Sequence, residues 1–141
     1  MSQPVTSCAS RLVPILARFP DLVLCAVYAV PDPVAGDQVM AAVQLRPGVV
    51  FDAEAFAHFL SAQADLGTKW APRYVRVTTL PVGATNKIDK RPLRAERWYT
   101  DDPVYWRPTS ELTYRRFDAD DLAALEARFR EFGRADAIAR P

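Results

Sequence analysis

The chain has 141 residues and a formal net charge of +1, with half its residues hydrophobic and a quarter charged. That is enough for a single core, and it is the composition of an ordinary soluble globular domain. A near-neutral balance with scattered arginines and no nucleic-acid-reading signature argues against nucleic acid or an acidic membrane surface as partner.

The first segment, SCASRLVPILARFP, places Leu12, Ile15, Leu16 and Phe19 at helical spacing, but Pro14 disturbs a helix interior. A short or irregular helix starting near Ser10 is expected there, ended by Pro20. LVLCAVYAV then reads as a buried central strand, within which Cys25 is a buried thiol. The loop PDPVAGD and a second strand, QVMAAVQLR, follow, and so short a connection predicts antiparallel pairing. After the RPG turn a helix is expected from Asp52 to about Asp65, with Asp52 as N-cap and Phe51 packed on Phe56. His58 falls on the polar stripe of that helix near Glu54, where a solvated histidine is the simpler reading than a catalytic base.

RYVRVTT gives a further strand, with Val75 and Val77 on one face and Arg76 and Thr78 on the other. It runs into LPVGATNK, a loop closed by the short helix RPLRAERW, whose first turn tolerates Pro92. The aromatic stretch YTDDPVYWRP should pack Tyr105 and Trp106 onto this unit. A final helix is signed by Asp118 at the N-cap, Asp121 at N3, Leu122, Leu125 and Phe129 on one face and Gly133 at the stop, with GRADAIARP fraying beyond it. The expected fold is α+β, a small sheet of about three strands flanked by helices, in the order α-β-β-α-β-loop-α plus a C-terminal helix. Residues 1–98 form the main subdomain and residues 99–141 an extension packed on it.

Several chemistries are excluded by pattern. Cys8 and Cys25 are too few for a disulfide framework, and His58 lacks the companions that a zinc site requires. The start, MSQPVTSC, has no secretory-signal pattern, and the longest apolar run is far short of the roughly 20 residues that span a bilayer. A cytoplasmic setting, free or peripheral to a membrane, is expected. There is no phosphate-cradling glycine loop, no dinucleotide fingerprint and no nucleophile elbow. What remains is Lys87, launched by a strand and followed by a helix, with Thr85 and Asn86 suited to a tight turn before it. By residue type alone it is either an idle solvated lysine or a mobile cation for an anionic group supplied by another surface, and the idle reading is the commoner case.

The stretch Leu80 to Arg94, LPVGATNKIDKRPLR, resembles the last signature motif of adenylate-forming enzymes, L-P-x-T-x-x-G-K-[IV]-x-[RK]-x-x-L-[RK]. It keeps Leu80, Pro81, Lys87, Ile88, Lys90, Leu93 and Arg94, with Asn86 where the family has glycine. FPDLVLCAVYAVPDPVAGDQVMAAVQLRPG and KWAPRYV are similar to two further passages of that family, so the likeness runs from about Leu12 to Trp98. The tail, DDPVYWRPTSELTYRRFDADDLAAL, resembles the branch of fatty acid transport proteins and very-long-chain acyl-CoA synthetases.

The resemblance implies the mobile C-terminal lid of a fatty-acid–CoA ligase. Such an enzyme joins a carboxylic acid to AMP, expels pyrophosphate and passes the acyl group to CoA. Lys87 would be the catalytic cation of adenylation, with Thr85, Asn86 and Lys90 near the substrate. Lys69, Trp70 and Arg73 form a basic turn that is a candidate for CoA contact. ATP and CoA are the implied substrates, and Mg²⁺ would be held by a large N-terminal adenylation domain, with no group bound by this chain alone. Arg11 and Val13 stand where the family has glutamates, which puts the contacts of that end in doubt. The alternative is a stand-alone, non-catalytic module that docks in trans on an adenylation domain.

Overall fold

The structure, a computed structural model, describes residues 5–64, 66, 71–80, 82 and 87–138. Nine main elements follow one another: α1 (Val5–Leu16), β1 (Leu22–Pro31), β2 (Asp37–Leu45), α2 (Ala53–Ser61), β3 (Tyr74–Val77), α3 (Arg91–Glu96), β4 (Val104–Trp106), β5 (Arg115–Arg116) and α4 (Ala119–Glu131). The α+β expectation holds. The sheet gains two short strands beyond the three read from sequence, because the aromatic stretch after Asp102 adds β4 to the free side of β3 and β5 follows it. Sheet order is β1-β2-β3-β4-β5. β1 and β2 form the expected antiparallel pair, with Tyr28 opposite Met40, whereas β3 runs parallel to β2 because α2 carries the chain across.

Alternation along the strands divides the interior in two. Val27, Ala41, Val43 and Val75 face α1 and α2, where Leu12, Leu16, Phe56 and Leu60 close the layer. Tyr28, Met40, Ala42, Tyr74 and Val104 face the other way, beneath Leu93 and Trp98 around α3 and Leu125 and Phe129 of α4. The chain after Trp98 contributes to both layers. Tyr114 sits edge-on to Phe56 on one side and Phe117 packs on Tyr74 and Trp106 on the other.

Local signals account for most helix ends. The Asp52 carboxylate accepts from the Glu54 and Ala55 amides, and Phe51 and Phe56 rings lie 5.3 Å apart. Asp118 and Asp121 close a capping box on α4, and Gly133 at φ 69° ends it in the left-handed region that glycine occupies without strain. Two expectations fail. α1 runs through Pro14 as a 12-residue helix, since burial of Leu12, Ile15 and Leu16 offsets the single backbone bond that proline cannot make. Residues beyond Gly133 do not simply fray: Ala135–Ile138 form a 3-10 turn that buries Ile138, and the Arg134 guanidinium bonds the carbonyl of Asp32 in the β1–β2 loop.

Arg76 is the main surprise. Strand alternation puts it opposite Val75, as expected, but that face is covered and Arg76 is only 6% exposed. Its Nε and Nη2 donate to one oxygen of Asp102 at 3.0 and 2.8 Å, and Nη1 donates to Glu96 at 2.9 Å. Burial by itself would lower the guanidinium pKa, but the two carboxylates outweigh it and raise it. Burial would likewise raise Asp102, and the Arg76 bonds hold it below the ordinary aspartate value instead.

Loss of one partner should therefore be felt. Asp102→Ala is expected to lower unfolding free energy by about 2–3 kcal/mol, below the full cost of breaking a buried pair because the carboxylate is partly exposed; denaturant titration measures it. The lowered pKa sets the pH dependence. The ionised form favours folding, so this contribution is present above the ordinary value of about 4 and is lost as pH falls through the lower folded value. A wild-type minus Asp102→Ala stability difference that stayed constant down to about pH 2 would contradict this.

Candidate functional site

The loop that carries Lys87 leaves β3 under tight backbone control. Thr78 N donates to Val43 O at 3.0 Å, and Leu80 N donates to Oε1 of Gln44 at 2.9 Å. Val82 and Ile88 then meet in an isolated antiparallel bridge. Ile88 packs against the core layer under α3, while its neighbour Lys87 is exposed, as alternation along an extended segment requires. Lys87 has no hydrogen-bond or ion-pair partner among the described residues. Thr85 and Asn86 lie outside the described residues, as do Lys69 and Trp70.

Beyond the bridge the chain is pinned again. Asp89 accepts from the Arg91 amide, Nε and Nη2 at 3.1, 3.0 and 2.9 Å, and those hydrogen bonds hold its carboxyl below the ordinary value. Pro92 sits in the first turn of α3, as the sequence suggested. Lys90 does not reach outward beside Lys87. Its ammonium donates to the carbonyl of Val27 in β1 at 3.0 Å, so the two lysines of this motif have different surroundings.

Arg73 occupies a different place. It precedes β3 and the lysine loop follows it, so the strand's four residues hold the two apart by roughly 13 Å. Its amide donates to Val39 O at 2.8 Å and its Nη1 to Arg107 O at 2.8 Å. With Asp32, Gln38, Tyr74, Trp106 and Arg128 it borders a cavity of about 310 Å³. Arg107 is buried on the carbonyls of Ala71 and Ser110, which fixes the segment before β3.

Sequence reading missed the groups that hold the loop: Gln44, the Val27 carbonyl and the Arg76–Glu96–Asp102 set that anchors the end of α3. Only Gln44, a polar residue directly after the apolar run Val39 to Val43, left a local signal. His58 is exposed on α2 as expected. Among the described residues no three His, Cys, Asp or Glu side chains gather to hold a metal. No helix among them is long and apolar enough to cross a membrane.

Comparison with known proteins agrees with the loop. The AMP-binding enzyme C-terminal domain profile matches residues 14–87, ending at the exposed lysine. A steroid-22-oyl-CoA synthetase of Rhodococcus jostii (strain RHA1) is 48% identical over 122 residues, 85% of this chain and 22% of that protein. The medium/long-chain-fatty-acid–CoA ligase FadD17 of Mycobacterium tuberculosis is 54% identical over 92 residues, 64% of this chain and 18% of that one. Among solved structures, the amide bond synthetase McbA from Marinactinospora thermotolerans superposes with a TM-score of 0.54 at 34% identity, over 66% of this chain and 18% of its own. The chain thus spans about a fifth of the length of the curated relatives it matches. With that profile matching more than half of its length, the chain belongs to the family of AMP-binding enzyme C-terminal domains.

Proposed function

We propose that this chain is the lid domain of an ATP-dependent acid–CoA ligase, and that Lys87 is its adenylation cation. The observation that carries the reading is an exposed, unpartnered lysine on a loop held by Gln44 and by the Val82–Ile88 bridge. The relatives' names supply the substrate class, since a steroid-22-oyl-CoA synthetase and a medium/long-chain-fatty-acid–CoA ligase each act on an apolar carboxylic acid.

In adenylation a carboxylate oxygen attacks the α-phosphorus of ATP, a phosphorus–oxygen bond breaks and pyrophosphate leaves. Two anions must meet, and the transition state concentrates their charge. An ammonium brought between them stabilises that arrangement. At an effective dielectric of 20 one charge pair about 4 Å apart interacts by ~4 kcal/mol, roughly a thousandfold in rate if the contact is made only in the transition state. Lys87 suits this role because among the described residues no carboxylate pairs with it. No step is routed through a metal on this chain.

The second half-reaction has the CoA thiol attack the acyl carbon, with AMP as leaving group. A lid that closes, reopens and rotates can present different faces to the two steps. Lys87 and Arg73, at opposite ends of β3, fit that division: Lys87 with Thr85 and Asn86 toward ATP and the acid, and Arg73 with Lys69 toward the anionic part of CoA. The ATP and acid pockets would belong to the larger domain.

In the complete ligase, Lys87→Ala should lower acyl-adenylate formation by about a hundredfold or more while leaving thioester formation from supplied acyl-adenylate within a few-fold. Single-turnover assays of the two half-reactions measure this, and equal loss of both would count against the assignment. The chain alone should show background ATP–pyrophosphate exchange with fatty or steroid-side-chain acids. Added in trans to a ligase truncated of its own lid, it should restore that exchange only if docking needs no covalent link.

A further inference from the structure

We propose that Lys90 is a positioning residue, whose ammonium ties the exit of the lysine loop to β1 and thereby sets where Lys87 can reach. The inference rests on the adenylation reading of Lys87.

Lysine usually leaves its head group in water and lays only its stem along the protein. Lys90 does otherwise. It is half-buried, and Nζ lies 3.0 Å from the Val27 carbonyl, a residue 63 positions earlier in the chain. Holding a lysine in one rotamer costs side-chain entropy, so a fixed head group needs a strong contact, which a charged donor to a carbonyl provides. Lys90 also lies near enough to Cys25, on the same strand, to act on its thiol: burial pushes that thiol's pKa up and the Lys90 charge opposes the push.

The location matters because β1 is an end strand of the sheet, and one row of its backbone groups has no partner strand. β1 is also part of the most extensive strand pairing in the molecule, with Leu22 to Pro31 laid along β2. An anchor there references the loop to that long strand pair. The loop is consequently fixed on both sides, by Gln44 of β2 where it enters and by β1 where it leaves. Only Ile88 and Asp89 separate Lys87 from Lys90, at most about 11 Å of chain. Removing the second anchor leaves the Val82–Ile88 bridge and the packing of Ile88 to hold the exit. Displacement of a catalytic group by about 1 Å costs up to a hundredfold in rate, so this tether can act on chemistry without touching substrate.

Two measurements test it, with Lys90→Met keeping the stem and Lys90→Arg keeping a charged donor. In this chain, Lys90→Met should speed amide hydrogen exchange at Val82 and Ile88 by about fivefold or more, with Ala41 in β2 unchanged and Lys90→Arg nearer wild type. In the complete ligase the same change should lower kcat for adenylation by about tenfold, with KM for ATP and acid and the thioester half-reaction within about twofold. Unchanged exchange overturns the proposal. So does faster exchange with unchanged adenylation, or equal loss of both half-reactions. Lys87→Ala run in parallel separates the two ideas: if it spares adenylation, the catalytic reading and the positioning role both fall, and faster exchange in Lys90→Met then establishes only a structural tether.

Discussion

A guanidinium under a helix holds this domain in shape. Arg76 extends from the face of β3 that looks toward α3, and Glu96 at the end of α3 and Asp102 just before β4 converge on it. A buried charge left single is among the most costly things a fold can contain, so these three groups are satisfied together. The consequence is geometric. The end of α3 is fixed over the sheet, and the chain after it is aimed at the free side of β3, where β4 pairs with Tyr74, Val75 and Arg76. The aromatic cluster of Tyr74, Trp98, Trp106 and Phe117 fills the space thus enclosed.

That arrangement sets the layered sheet apart from the segments that enter and leave β3, a division compatible with the lid role proposed for the domain. The lysine loop leaves one end of β3 and the Arg73 segment enters at the other, and contacts to carbonyl oxygens help to fasten each. Among the described residues Lys87 has no counter-charge of its own. An exposed cation on a fixed base loses little on meeting an anion, because neither an internal salt bridge nor a large backbone ordering cost has to be overcome first.

The legible parts of this protein were those decided by near neighbours in sequence. Asp52 and Asp118 announce helix starts because a short carboxylate satisfies amides only two or three residues on. The β1–β2 hairpin was legible because its loop is too short for any other connection. The lysine loop was legible through its motif and its place between a strand and a helix. Pro14 misled because a local rule, the missing N–H, was outweighed by burial of Leu12 and Leu16 against a sheet that lies far along the chain. Arg76 misled for a related reason: whether a strand face is wet or dry depends on what later covers it.

The sequence by itself determined the elements, their caps, the alternation that sorts the strand residues into two layers, and the lysine on which the functional reading rests. Each of these depends on chemistry within a few residues or on a recognisable motif. Only the tertiary structure decided that Arg76 is enclosed by two acids, that residues past Trp98 extend the sheet and share both layers, and that Lys90 points inward to Val27 while Lys87 stays free. The two lysines have the same side chain within one motif. What separates them is the presence of a carbonyl brought near by a strand 63 residues away, and contacts across such distances are set by how the whole chain closes on itself.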